Sequence, residues 1–216
     1  MKFTAEDLKR FLNNVVEMIE EQKDYLSELD RKLGDGDHGV TMSIGWQAID
    51  EKLKTDLKEE QDCGKIAVSA GKTFLSAVGS SVGPLYATGF LRGSKAFQNK
   101  TELVDQDLAD FWIAFIEGVK DRGKAEVGDK TMIDTLQPTL EALKSHFMLT
   151  NDFLSAFTEA VSAGEKGMLS TKELLSKRGR SSRLGERSLG FQDPGATSAY
   201  FILSAFLETV KDTQAV

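Results

Sequence analysis

The chain has 216 residues, 40% of them hydrophobic, and a formal net charge of −7. This size suits a single domain over residues 1–216, and the acidic balance argues against a nucleic-acid-binding protein, which normally has a basic surplus. The single cysteine, Cys63, excludes an internal disulfide, which suits a reducing compartment. Charges are frequent near the N-terminus, and the chain has no run of about 18 apolar residues. We therefore predict no signal peptide and no membrane span, and we expect a cytoplasmic location.

Apolar residues recur at helical spacing along nearly the whole chain. Eight such stripes begin at Leu8, Met42, Ile66, Tyr86, Leu108, Ile133, Leu154 and Ala196. Convincing two-residue alternation is absent, so we predict an all-α bundle of about eight amphipathic helices, with short connections between antiparallel neighbours. Pro138 falls inside the sixth stripe and predicts a kink there. Glycines cluster at four joints between helices, at 34–39, 79–83, 123–128 and 179–195.

The first joint, "DRKLGDGDHGVTM", concentrates acidic residues before the second helix. Asp30, Asp35 and Asp37 lie within eight positions, and glycines allow the tight turns that would bring them together. Carboxylates alone suit a hard cation such as Mg²⁺, which could anchor a di- or triphosphate. An EF-hand fails, because Val40 and Trp46 stand where glycine and glutamate are required. A solvated acidic turn is the plain alternative, while His38 and Thr41 could add donors to a phosphate.

The second and third joints each have an ordinary structural explanation beside the functional one. "AVGSSVGPLY" places small residues before a helix that Pro84 starts, which fits either a tight turn or close approach to a phosphate or base. "DKTM" follows Gly128, and either Asp129 or Thr131 fits the cap of the sixth helix. Met132 could pack on an adenine ring, although a core position is the commoner fate of methionine.

The fourth joint, "KRGRSSRLGERSLGFQDPGATS", is the local basic concentration of an acidic chain. It contains Lys177, Arg178, Arg180, Arg183 and Arg187. Arginine forks suit phosphate oxygens and can stabilise a phosphoryl group in transfer; a solvated basic loop is the alternative. Asp193 and Pro194 then fit the cap and first turn of the last helix.

Together the four joints resemble the nucleotide-binding L subunit family of dihydroxyacetone kinases. The matching stretches are "LDRKLGDGDHG", "VGSSVGPLY", "RGKAEVGDKTM" and "GRSSRLGERSLGFQDPGATS", in the family's order. The resemblance implies a barrel of eight antiparallel helices with the nucleotide held by loops at one end. It also implies two Mg²⁺ ions on Asp30, Asp35 and Asp37. The implied nucleotide-contacting residues are His38, Gly39, Val40, Thr41, Gly123, Met132, Arg180, Asp193, Pro194 and Gly195.

Two positions depart from the family pattern. Val82 replaces a serine that could bond the nucleotide, so Ser80 and Ser81 become the expected substitutes. Phe191 stands where histidine is common. Neither change touches the aspartates, but both affect the fine geometry of the site.

The resemblance implies a phosphotransferase that works only with partners. In the bacterial type that depends on the phosphotransferase system, a phosphohistidine on an M subunit phosphorylates ADP bound to L. The ATP formed phosphorylates dihydroxyacetone held on a K subunit, with Arg180 as the catalytic arginine. One alternative is an ATP-dependent subunit acting on another small ketose; others are a nucleotide-state module that binds a transcription regulator, and a plain helical bundle. The oligomeric state stays open, a homodimer included.

Overall fold

The structure, a computed structural model, describes residues 1–215. Over this range it has eight α-helices, which confirms the all-α prediction. They are α1 (Ala5–Leu33), α2 (His38–Lys54), α3 (Cys63–Ala77), α4 (Val82–Gly93), α5 (Asp105–Gly123), α6 (Ile133–Thr150), α7 (Phe153–Ser170) and α8 (Pro194–Ala215). Short 3₁₀ turns cover Ser94–Phe97, Thr171–Glu173 and Arg180–Ser188.

A two-stranded antiparallel ladder joins the start of the chain to the α4–α5 connection. Strands β1 (Phe3–Thr4) and β2 (Glu102–Leu103) pair Phe3 with Leu103. Each strand has two residues, too few for an alternating pattern to be visible in the sequence. Thr4 then starts α1 through a capping box, in which its side chain accepts from the Asp7 amide and Asp7 accepts from the Thr4 amide at 2.7 Å.

The helices form a closed ring around a shared core. Each helix packs on the next in sequence, and α8 packs on α1. The buried apolar side chains form one cluster with members from all eight helices. At its centre Trp112 of α5 packs edge-on against Phe206 of α8, with ring centroids 5.1 Å apart. Aromatic pairs of this kind add to the free energy gained from burial alone.

This topology positions the four glycine-rich joints. Since short connections reverse the chain, alternate connections lie at the same end of the ring. The connections 34–37, 78–81, 124–132 and 171–193 therefore share one end, where α2, α4, α6 and α8 begin. Pro138 lies inside α6, which continues without interruption from Ile133 to Thr150. None of the helices in the described range has the length and apolarity needed to cross a bilayer.

Candidate functional site

All four joints line one cavity of about 620 Å³ at this end of the ring. Its size lies within the range typical of small-molecule sites. The residues predicted from sequence that line it are Asp30, Asp35, Asp37, His38, Ser80, Ser81, Gly123, Met132, Arg180, Asp193, Pro194 and Gly195. Gly39, Val40 and Thr41 do not line it, and Thr41 faces a smaller side pocket next to Asp37.

A larger groove of about 1200 Å³ runs along the outer faces of α2 and α3. Its charged lining is mainly lysine, including Lys72 and Lys95, and none of the predicted site residues reaches it. The smaller cavity is the better candidate site because carboxylates, arginines and four helix starts converge there.

The three aspartates of the first joint meet at the cavity mouth. One carboxylate oxygen from each of Asp30, Asp35 and Asp37 lies within 4.8 Å of the others. Asp30 belongs to the last turn of α1, whereas Asp35 and Asp37 lie in the connection between α1 and α2. The donor set is oxygen-only and half-exposed, which fits Mg²⁺ with water or phosphate oxygens completing its octahedron.

Local backbone geometry fixes the position of Asp30. Its side chain accepts a hydrogen bond from the His38 amide at 3.1 Å, across the connection between α1 and α2. A side chain at Gly34 would crowd the Asp30 carboxylate, and Gly36 has φ +80°, the left-handed region that glycine tolerates. The glycines of "GDGDHG" thus keep space around the carboxylates and allow the turn.

The imidazole of His38 contacts the last helix. Its Nε2 lies 2.9 Å from Ser198 Oγ on α8, and the residue is buried. Burial lowers the pKa of His38 to about 4, against an opposing effect of Asp30, so the ring is neutral at physiological pH. His38 therefore ties the first joint to α8 through its side chain. Ser198 has no recognisable signal in the sequence.

Gly39 has a packing explanation, since α2 lies close to α1 there. A Cβ at Gly39 would overlap the carbonyl oxygen of Lys23 and press on Ser27. We expect Gly39→Ala to lower the free energy of unfolding by about 1–3 kcal/mol without any ligand, the usual cost of overpacking. Urea unfolding measures this. The adjacent Val40→Ala, at a 46% exposed side chain, is the control and should change stability little; equal stability of both variants would refute the packing role.

Arg180 is the basic residue that reaches the aspartates. Its guanidinium forms an ion pair with Asp35 and lies 3.7 Å from Asp37. The side chain is 63% exposed at the cavity mouth, so the pair itself adds little stability. Its position suits contact with the terminal phosphate of a bound nucleotide. Arg178 also lines the cavity, but its guanidinium bonds Asp129 and the carbonyl of Lys124 and not the three aspartates.

The inner wall of the cavity is largely apolar. Met132 is 6% exposed and lies with Ile133, Leu85 and Val119. This wall suits the flat face of a base, and Met132 is also part of the core, so both of its expected roles are compatible. Val82 is buried at the first turn of α4, leaving Ser80 and Ser81 as the hydroxyl groups of that joint on the lining.

The third joint is organised by a residue that the sequence did not single out. Both carboxylate oxygens of buried Asp134 accept backbone amides, from Gly128 at 2.6 Å and Thr131 at 2.7 Å. Thr131 caps α6 by accepting the Ile133 amide at 3.1 Å, whereas Asp129 accepts from Glu126 instead. The spacing of an aspartate three residues after Thr131 is the signal that could have found this arrangement.

Asp193 caps α8, as predicted, but in a buried setting. Its carboxylate accepts the Ala196 amide at 2.7 Å. Burial raises the pKa of Asp193 to about 7, with Asp134 adding to the rise and the Ala196 amide and Lys130 opposing it. At neutral pH this carboxyl is therefore divided between its charged and neutral forms.

The raised pKa of Asp193 predicts a pH dependence of stability. Between the unfolded value of 3.8 and the folded value of about 7, the folded state holds the extra proton. The free energy of unfolding relative to Asp193→Asn should therefore be greatest at low pH. It should fall by at most about 1.4 kcal/mol per pH unit as pH rises toward 7. Urea unfolding of both proteins from pH 4.5 to 8 tests this, and parallel profiles would contradict it.

Comparison with known proteins identifies the family. Residues 32–208 match the DAK2 domain family. The chain is 37% identical over 201 residues to the "PEP-dependent dihydroxyacetone kinase 2, ADP-binding subunit DhaL" of Listeria innocua, covering 93% of this chain and 92% of that protein. It is 36% identical over 212 residues to the "PEP-dependent dihydroxyacetone kinase, ADP-binding subunit DhaL" of Escherichia coli, covering 98% and 100%.

A solved structure agrees with this assignment. The crystal structure of the dihydroxyacetone kinase from C. freundii in complex with AMP-PNP and Mg²⁺ matches with a TM-score of 0.69 and 25% identity. The match covers 93% of this chain and 33% of that one, so the chain spans about a third of that longer kinase. The chain therefore belongs to the DAK2 domain family and, within it, to the DhaL-type subunits of dihydroxyacetone kinases.

Proposed function

We propose that this chain is the ADP-binding subunit of a multi-subunit dihydroxyacetone kinase and acts as one domain over residues 1–216. The observation that carries the proposal is the convergence of Asp30, Asp35, Asp37 and Arg180 at the mouth of one cavity. Carboxylates for a hard cation and an arginine for a phosphate are the parts that phosphoryl transfer needs, since its catalysis is mainly positioning and charge neutralisation.

The position of each residue in the cavity indicates its proposed role. The three aspartates fit Mg²⁺, as one ion or two, which when bound would neutralise phosphate charge. The apolar wall at Met132 receives the adenine, and Gly123 leaves room beside it. The α2, α4, α6 and α8 N-termini all open on the cavity, and free backbone amides there favour an anion. Arg180 lies where the terminal phosphate would be.

The proposed reaction needs two partner subunits. A phosphohistidine on an M-type donor loses its phosphoryl group as the P–N bond breaks, and an oxygen of the ADP β-phosphate forms the new P–O bond. The terminal phosphoryl group then passes to a hydroxyl of dihydroxyacetone held on a K subunit, which regenerates ADP. In this role the nucleotide stays with the protein as a cofactor, so we expect it to dissociate slowly.

The first test is to denature the purified, dialysed protein and identify released nucleotide and metal by chromatography and elemental analysis. Near-stoichiometric ADP with magnesium supports the resident cofactor. An empty protein that binds Mg·ATP reversibly favours the ATP-dependent subunit for another small ketose. A protein without nucleotide affinity would refute the proposal and leave a helical bundle.

Partner dependence provides the second test. Purified K subunit and phosphohistidine donor should together restore phosphorylation of dihydroxyacetone, and omission of either should abolish it. A chain that instead binds only a transcription regulator, with affinity set by its nucleotide state, would be a regulatory module. Dihydroxyacetone phosphorylation by the complete mixture separates the two roles.

A further inference from the structure

Lys130 is a buried lysine between two parts of the site, and nothing in the proposed chemistry uses it. The residue is 1% exposed and has φ +61°, a left-handed backbone that is uncommon for a residue other than glycine. Burial of an ammonium group is costly unless its donors are satisfied. A buried lysine with this backbone conformation is expected to have specific hydrogen-bond partners.

The ammonium of Lys130 bonds three backbone carbonyls of a single segment. Its Nζ donates to Leu174 at 3.2 Å, to Ser188 at 2.5 Å and to Phe191 at 2.6 Å. These acceptors bracket residues 174–191, here called the arginine loop, which carries Arg180. All three donors of the ammonium are used, and both ends of the loop are joined at one point.

Apart from Lys130, the arginine loop is held by polar contacts. Between Lys177 and Arg187 its side chains are half-buried or exposed, so no apolar core fixes it. Its other contacts are polar: the Ser176 amide bonds Ser188 Oγ at 3.0 Å and the Lys177 amide bonds the Asp129 carbonyl at 3.1 Å.

The guanidinium of Arg178 also bonds the Asp129 carboxylate at 3.2 Å and the Lys124 carbonyl at 2.8 Å. A charge-assisted hydrogen bond is roughly twice as strong as a neutral one. Lys130 is the tie whose charged group is buried, whereas the guanidinium groups of Arg178 and Arg180 are more than half exposed and their ion pairs contribute less.

Lys130 is itself held by the barrel. The turn that contains it is fixed by Asp134 at the start of α6, through the Gly128 and Thr131 amides. A continuous set of contacts thus runs from α6 through Asp134 and Lys130 to the arginine loop, and ends where Arg180 meets Asp35.

We propose that Lys130 is a positioning residue that holds the arginine loop closed at its base, so that Arg180 faces the aspartates. Its role in transfer rests on the proposed function, whereas its role in holding the loop does not. Lys130 lines the cavity, but its three donors are taken by carbonyls of the loop, so its part in transfer is to hold the loop. Loss of its ammonium should therefore release the loop and slow phosphoryl transfer, while ADP affinity changes less.

Lys130→Met keeps the side-chain length and removes the donors. The matched control is Lys177→Met, which removes a 61% exposed lysine in the same loop whose Nζ lies 4.0 Å from Asp129. Digestion with a protease that cuts after arginine reports opening of the loop, since cleavage needs a locally unfolded segment. We expect cleavage at Arg180, Arg183 and Arg187 to become at least about tenfold faster in Lys130→Met and to stay near wild type in the control.

The kinetic readout separates positioning from general loss of structure. In the complete kinase, Lys130→Met should lower the transfer rate by about tenfold or more, with the dissociation constant for ADP changed by less than about threefold. Unchanged cleavage in the loop would overturn the proposal. Faster cleavage with unchanged transfer would overturn the positioning of Arg180 alone. If Lys130→Met is cleaved faster than wild type but the wild-type protein shows no kinase activity in the complete mixture, the role of Lys130 in holding the loop stands and the proposed function is refuted.

If Lys130→Met fails to fold, Lys130→Arg carries the test, because it keeps the charge but not the compact geometry of three donors. Amide hydrogen exchange should then rise within residues 174–191 and remain unchanged in α5 and α6. An equal rise throughout α5 and α6 would mean that Lys130 supports the barrel and not the loop.

Discussion

Replacing Asp35 by asparagine is expected to remove most of the stabilisation that Mg²⁺ binding at the proposed site should give the protein, with helix content unchanged. Asp35 supplies one of three carboxylates whose oxygens lie within 4.8 Å of each other, outside the packed core. Loss of a residue that only hydrogen-bonds a metal-ligating side chain costs about 10–100-fold in metal affinity. Loss of a metal-ligating carboxylate itself should therefore cost at least about 100-fold. Without metal the substitution should not destabilise the protein, because it relieves repulsion between carboxylates.

Thermal and urea unfolding with and without Mg²⁺ measure this effect. At a magnesium concentration about 100 times the wild-type dissociation constant, binding adds about 2.7 kcal/mol to wild-type stability. A hundredfold weaker site would retain only about 0.4 kcal/mol at that concentration. Asp56→Asn removes an exposed carboxylate beyond the other end of α2 and should behave as wild type. Loss of far-UV circular dichroism in Asp35→Asn would contradict a site role.

The fold could be predicted because its signal is local and repeated. Each stripe of apolar residues, such as Leu8 to Ile19 in α1, becomes the buried face of one helix. Short connections predicted antiparallel packing of neighbouring helices, and the closed barrel was an implication of the family resemblance. The β1–β2 ladder was not predicted, because strands of two residues show no periodicity and the paired residues are about 100 positions apart.

The site was predictable where its residues are adjacent in sequence. Asp35, Asp37 and the glycines between them indicate a turn from the sequence alone, and the family resemblance implies that the aspartates bind Mg²⁺. The sequence did not single out Ser198 and Lys130, for a different reason. Their functions depend on partners 160 and about 50 residues away, His38 and the carbonyls of the arginine loop. A backbone carbonyl has no signature in a sequence, so an anchor that binds only carbonyls becomes visible only in three dimensions.

Removal of the Arg180 guanidinium should slow phosphoryl transfer far more than it weakens ADP binding. The side chain lies beside Asp35 and Asp37 at the cavity mouth, while the apolar wall for the base lies deeper, at Met132. An arginine that stabilises the charge on a transferring phosphoryl group is worth about 10³-fold or more in rate. Arg180→Ala should therefore lose about 10³-fold in transfer, and ADP affinity should fall by less than about tenfold.

Single-turnover transfer and ADP titration of the same preparations separate the two effects. Arg180→Lys keeps the charge but loses the planar fork, so its rate should lie between wild type and Arg180→Ala. Arg183→Ala removes a neighbouring arginine of the same loop and should leave both measurements close to wild type. If Arg180→Ala lost affinity and rate in equal proportion, the guanidinium would hold the bound nucleotide in the ground state. The convergence of Arg180 with the aspartates would then describe a binding site, and the catalytic group would have to come from a partner subunit.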